Sequence, residues 1–338
     1  MLNRITSEIL EEISKSPLTW AVRYNTLWHY KRKENNVFSM ASLLFILKEI
    51  YDLVEVTSQR DIDKITAFLL PVFELYKNKD GRATYNFYQT RPSQHFPNGY
   101  LMQYFDHFRL PDDIDDTALI TYITNAPLAD VMHLKDLTDS FAQNFPDGKR
   151  IYNTWYGKTM PKEQDVCTLL NLFYLVFHHT IPLNQTDKDS FNFLIEKIDF
   201  IRNKPFEIAR HYANPALILY HYARFMGRFS SPLDDSKPKI IQTIYAVLED
   251  ETVYMNRLIL ETSLIKLGVS RSPLDLEKLT FKDFYTFIGA PLAPFSGIIA
   301  KKASSLKATQ MFWDCEMHNK ALVLEYLAWS RHNTKQLY

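Results

Sequence analysis

The sequence predicts an all-α protein, a single domain over residues 1–338 whose helical hairpins close into one α/α toroid with an inner and an outer ring. Three observations carry that expectation. Apolar residues recur with a helical period through most of the chain. Convincing period-two alternation is scarce. A unit of roughly 50 residues also recurs. Asp116-Thr117-Ala118-Leu119-Ile120, Asp165-Val166-Cys167-Thr168-Leu169 and Asn214-Pro215-Ala216-Leu217-Ile218 align at a spacing of 49 residues. Weaker copies start near Glu261-Thr262-Ser263-Leu264 and Asp314-Cys315.

Each strong copy offers an Asp or Asn suited to an N-cap, a small residue two places on, then an apolar run. Pro215 falls at the first helical position, where its missing N–H costs nothing. Two-helix units cannot bury their apolar faces alone, so neighbours must stack. In order along the chain, helices are expected over residues 5–14, 18–30, 40–54, 62–76, 117–124 and 129–144. The series continues over 165–177, 190–202, 215–225, 239–248, 253–267 and 313–329. Residues 84–89 suit an extended strand, inside an aromatic, proline-broken stretch from 85 to 111 that reads as a long structured loop. Loops of that length inside compact domains often carry function.

Composition bounds the function. With 46% hydrophobic and 14% aromatic residues, the chain can bury a sizeable core. Lys+Arg and Asp+Glu balance at 39 each, so no basic surplus points to nucleic acid and no polybasic cluster to an anionic membrane. Cys167 and Cys315 are too few for a disulfide framework and fit a reducing, cytoplasmic setting. Residues 1–15 alternate apolar and acidic side chains, unlike a secretory signal. No uncharged apolar run approaches the roughly 20 residues that span a bilayer. Eight glycines, with neither G-x-G-x-x-G nor G-x-x-x-x-G-K, argue against the common nucleotide-binding folds. No cofactor is expected.

The most distinctive motif is Asp112-Asp113-Ile114-Asp115-Asp116, four carboxylates in five residues before an apolar run. Carboxylates this close raise one another's pKa, and one held neutral beside an apolar surface becomes a proton donor. The repeat assigns Asp116 to helix capping, whereas Asp113 and Asp115 have no counterparts in the other copies. A solvated acidic turn favoured by the helix macrodipole is the plain alternative.

Asp113-Ile114-Asp115-Asp116-Thr117-Ala118 resembles the D-x-D-D-T-A signature of class II terpene cyclases, a group that includes squalene–hopene cyclases and copalyl-diphosphate-type synthases. The resemblance covers six residues strongly and otherwise only the repeat architecture. It implies an α/α toroid related to the protein-prenyltransferase barrel. It also implies that Asp115 is the general acid that protonates an isoprenoid alkene or epoxide, with Asp113 and Asp116 as its supports. The implied partner is a hydrophobic isoprenoid small molecule. The chain has residues for one toroid, where that family generally builds its pocket between two, and the recurrent Gln/Trp repeats are absent.

Such chemistry needs a dry pocket and aromatic faces for carbocations. Aromatics near the motif include Tyr85, Phe87, Tyr88, Phe96, Tyr100, Tyr104, Phe105, Trp155 and Tyr156. Polar residues suited to a central cavity include Asn171, Tyr220, Glu316, His318 and Asn319, with His107 near the acids. The candidate substrate-binding set is therefore Tyr85, Tyr104, Trp155, Asn171, Tyr220 and Glu316.

Other constellations compete. Asp112, Asp113 and Asp116 match a D-D-x-x-D magnesium motif, but its second metal motif is missing. Asp165 and Cys167, with His211 or His221, suit zinc, although Asp165 already reads as a cap and no metal is assigned. A non-catalytic helical scaffold is one alternative. A carbohydrate-active toroid is another, its second carboxylate drawn from Asp165, Glu261 or Glu316.

Overall fold

The computed structural model describes residues 1–18, 20–25, 27–93, 110–157, 162–290 and 298–336. The chain opens with helix α1 (Leu2–Lys15), a hairpin of β1 (Trp20–Asn25) and β2 (Tyr30–Asn35), then α2 (Val37–Glu49) and α3 (Val56–Leu69). Next come α4 (Ile114–Ile123), α5 (Leu128–Ser140), the short strands β3 (Gln143–Asn144) and β4 (Arg150–Ile151), α6 (Val166–His178) and α7 (Gln185–Lys197). The remainder is α8 (Pro205–Ile208), α9 (Pro215–Met226), α10 (Lys237–Asp250), α11 (Tyr254–Lys266), β5 (Phe287–Gly289), α12 (Ile298–Ser304), β6 (Met311–Asp314) and α13 (Glu316–Gln336).

Five helices, α2, α4, α6, α9 and α11, are buried along most of their length, and α13 is buried chiefly over residues 318–328. Their neighbour relations form a circuit: α2 packs on α4, α4 on α6, α6 on α9, α9 on α11, α11 on α13, and α13 back on α2. Amphipathic helices cover them from outside. α1 and α3 pack together beside α13 and α2, α5 and α7 lie on α6, and α10 lies against α9 and α11. α10, for example, buries Ile240, Ile244 and Leu248 at four-residue spacing and leaves its other face wet.

The all-α expectation is corrected by a four-stranded antiparallel sheet in the order β2-β1-β6-β5, together with the two-stranded ribbon β3-β4. Helix and sheet combine, so the purely helical toroid expected from the repeat does not describe this chain. Within the stretch 18–30, expected as helix, Trp20–Asn25 form β1 and Tyr30 opens β2, and Trp313, expected in the last helix, lies in β6. The register sets Arg23 opposite both Arg32 and Trp313, and Phe287 opposite Trp313. One face of the sheet therefore carries Arg23, Glu34, Phe287 and Trp313, while Tyr24, Phe312 and Ile288 lie on the other.

The inward face of the hairpin is polar. Asn25 and Glu34 are each about 1% exposed. That inversion hides the strand from a hydrophobic-periodicity reading. β2 runs straight into α2, and β6 into α13, so the sheet is tied to the N-terminal ends of two helices of the circuit. Among the described residues, no helix is long and apolar enough to cross a membrane. Both cysteines are buried and free.

Candidate active site

The acidic motif forms the entry to α4. Asp113, in extended conformation, is the N-cap and accepts a hydrogen bond from the Asp116 N–H at 2.7 Å. The entry is stitched to residues 154–156, because the Ile114 N–H donates to the Thr154 carbonyl and the Tyr156 N–H to that of Asp112. Thr117 locks the first turn through its hydroxyl, which donates to the Asp113 carbonyl and accepts the Tyr85 N–H. The capping assignment from the repeat is thus corrected: Asp113, not Asp116, is the counterpart of Asp165 and Asn214. Those two cap α6 and α9, each accepting the N–H two residues on. The 49-residue spacing holds between them and is three residues out at the first copy.

The four carboxylates have separate surroundings. Asp112 points away from the others and accepts from Asn78, Thr84 and Asn86, so it clamps the preceding loop. Asp113 and Asp116 are fully buried neighbours, and Asp116 has one oxygen without a hydrogen-bond partner. Burial pushes both carboxyls well up, the Asp115 charge raises Asp113 further and the Asp113 charge raises Asp116, so the pair holds a proton near neutral pH. Asp115 differs. The Tyr212 hydroxyl donates to one oxygen and the Asn171 amide to the other. Behind Asn171, the buried Arg224 guanidinium donates to the amide oxygen, which turns the amide nitrogen toward Asp115. Burial raises the Asp115 carboxyl, while Tyr212, Asn171 and Arg224 act against that rise.

Asp113, Asp115 and Asp116 border a cavity of about 550 Å³ between the N-terminal ends of α2, α4 and α6 and the polar face of the sheet. Its other walls include the aromatic rings of Phe38, Phe87, Tyr88, Trp155, Phe287 and Trp313. Phe287 is the hub, with ring centroids 5.2 Å from Phe87, 5.4 Å from Phe38 and 5.5 Å from Trp313. Glu34 fixes Trp313 by accepting its indole N–H at 2.6 Å, and Arg23 pairs with Glu34 at 3.2 Å. Gly289 makes room for that indole, since a Cβ there would sit 2.8 Å from its ring. A second polar group, Glu163 with Arg210 and His211, also borders the cavity. Burial pushes His211 down, but the Glu163 and Asp165 carboxylates outweigh it and lift the imidazole to about 9.

Of the residues named from sequence, Trp155 lines the cavity, and Asn171 reaches Asp115 from behind. Tyr85 contributes only its backbone N–H, to Thr117, and is not in the lining. Tyr220 donates to Glu325 at 2.7 Å deep among the helices, away from the cavity. Glu316 is exposed and pairs with Lys320 at 3.1 Å. Tyr104 lies outside the described residues, as do Phe96, Tyr100, Phe105 and His107. Phe87 and Tyr88 line the cavity, whereas Tyr156 hydrogen-bonds Thr138 in the core.

The competing constellations do not assemble. Glu261 is engaged by Arg271 through two hydrogen bonds, and Asp165 is occupied as a cap that also accepts the His211 N–H. Among the described residues, no group of three or more His, Cys, Asp or Glu is placed to hold a metal ion.

Sequence reading missed Arg23, Tyr30, Phe38, Tyr212, Phe287 and Trp313. All reach the site from distant segments, and the strand residues among them sit in an inverted polarity pattern that marks nothing locally. Comparison with known proteins adds no name to this geometry: no family model, no curated protein and no solved structure matches the chain.

Proposed function

We propose that this protein is an acid catalyst that protonates a carbon–carbon double bond of a hydrophobic isoprenoid and lets the resulting cation cyclise. Asp115 is the acid. Its proton passes to one alkene carbon, the π electrons form the new C–H bond, and the adjacent carbon becomes a tertiary cation. An internal double bond then attacks that cation to close a ring, and loss of a proton ends the sequence. Asp113 and Asp116 form a neighbouring proton-holding pair.

The observation that carries this reading is the double character of Asp115 at an aromatic cavity. Burial favours its neutral, proton-bearing form, while Tyr212 and Asn171 stand ready to stabilise the carboxylate left after transfer. An isolated alkene is a very weak base, so a donor needs both properties. Cations formed next to Phe38, Phe87, Phe287 and Trp313 would face ring quadrupoles rather than water.

The test incubates the protein with farnesyl, geranylgeranyl and squalene-type substrates in D₂O and identifies products by mass spectrometry. Cyclic products carrying one solvent deuterium at the initiation carbon are expected, and none from Asp115→Asn. Cyclic products without deuterium would mean initiation by loss of a leaving group. No turnover of any of these substrates would remove the reading.

A further inference from the structure

The tip of the β1–β2 hairpin exposes two large apolar side chains. Leu27 is 60% and Trp28 70% exposed. The Trp28 indole N–H donates to the Ala308 carbonyl at 2.9 Å, and the Asn25 side chain donates to the carbonyls of Ala308 and Gln310. These bonds hold the hairpin tip against the segment that carries Leu306, itself 56% exposed. Ile299, on the helix leading into that segment, is 85% exposed.

Within these two segments every Asp, Glu, Lys or Arg is basic, while Asp314 on β6 lies close to Lys31. Lys31, Arg32 and Lys33 follow the tip on edge strand β2 and are exposed, as are Lys302 and Lys307 on the other segment. Residues 27–33 and 298–310 contain no Asp or Glu. Tyr30 within the first segment and Met311 just after the second border the cavity.

We infer that this surface docks on an anionic lipid bilayer. A tryptophan and branched aliphatics on exposed positions match the headgroup–acyl boundary, where amphipathic rings partition. Lysines beside them match the negative potential of an anionic leaflet, each contributing near the surface. Such binding needs no spanning helix. The inference is independent of the acid chemistry, because it rests on the sheet's outer tip and not on α4. It would bring the cavity to a membrane, where apolar ligands reside.

The experiment is co-sedimentation of the intact chain with phosphatidylcholine vesicles, with and without about a quarter phosphatidylglycerol. Binding to the anionic vesicles only is expected, reversed by about 0.5 M salt. Trp28→Ala should weaken it about tenfold. Lys31→Gln and Lys33→Gln should each weaken it about fivefold. All three sites are exposed, and circular dichroism checks that each variant keeps its fold. Failure to sediment with anionic vesicles would overturn the inference. So would binding that these variants leave unchanged, or a dimer in light scattering that Trp28→Ala dissociates, which would assign the patch to a second copy.

Discussion

Asp115 on α4 and Glu325 on α13 are buried carboxylates inside the same circuit of helices, and each accepts a hydrogen bond from a tyrosine, Tyr212 and Tyr220 respectively. Their other partners separate them. Glu325 meets the Lys266 ammonium directly at 2.9 Å and borders no described cavity. Asp115 accepts from two neutral donors, has Arg224 one amide away, and opens on the aromatic cavity. A carboxylate with a cation in contact is an ion pair, committed to its charge. One with neutral donors and an apolar neighbour can carry a proton and give it up. Burial alone does not mark an acid; the partners do.

The sharpest way to break this comparison is to neutralise each member. Asp115→Asn should lower turnover by about 10³-fold or more, because the initiating proton is gone. Glu325→Gln should leave the rate within a few fold. Its cost falls on stability, at about 3–5 kcal/mol in denaturant unfolding, since Lys266 is left as an uncompensated buried charge. Loss of activity from the glutamine variant at unchanged stability would contradict the distinction.

A smaller effect is expected one step behind the acid. Asn171→Leu removes the amide that supports the Asp115 carboxylate, a hydrogen bond to a charged group whose loss lowers the rate roughly 10- to 100-fold. The acid also becomes weaker, so the alkaline limb of the pH–rate profile should move to higher pH. A purely structural role for Asn171 would leave that limb in place.

Stability should vary with pH in a direction fixed by the same site. Burial raises Asp165 from 3.8 to about 7 and also raises Asp113 and Asp116. Folding therefore takes up protons between the ordinary and the raised values. That stabilisation is complete below the ordinary carboxyl range and is lost as pH rises through the folded values. His211, raised from 6.5 to about 9, adds a contribution that fades over that interval. Glu163, held below its ordinary 4.5, acts the other way only in acid. The melting temperature should fall from pH 5 to pH 9, and Asp116→Asn should flatten the fall by roughly 2 °C or more. A flat wild-type profile would count against protonation of the Asp113–Asp116 pair.

The smallest effect tests the wall opposite the acid. Gly289→Ala places a methyl group against the Trp313 ring, costing about 1 kcal/mol and displacing the indole. A change in KM with little change in kcat is expected if Trp313 shapes the binding space.

Much of the helical part was legible from local pattern. The caps at Asp165 and Asn214 and the apolar runs behind them mark α6 and α9 within a residue or two. The acidic motif marks one side of the cavity, Trp155 lines the same cavity, and Asn171 hydrogen-bonds Asp115. The hairpin of β1 and β2 was not legible, because Arg23, Asn25 and Glu34 face inward and invert the usual alternation. The chain-wide balance of charge likewise concealed the local run Lys31-Arg32-Lys33.

The sequence by itself determined where helices begin, which faces they bury, and that four carboxylates crowd one N-terminus, since these follow from spacing along a single segment. Tertiary structure decided which carboxylate caps, which clamps a loop and which faces a cavity, because those roles depend on donors from segments far away in the chain. Tyr212 lies 97 residues from Asp115, and Trp313 lies 279 from Glu34. The protonation state of a buried acid is set by such partners, and no local pattern records them.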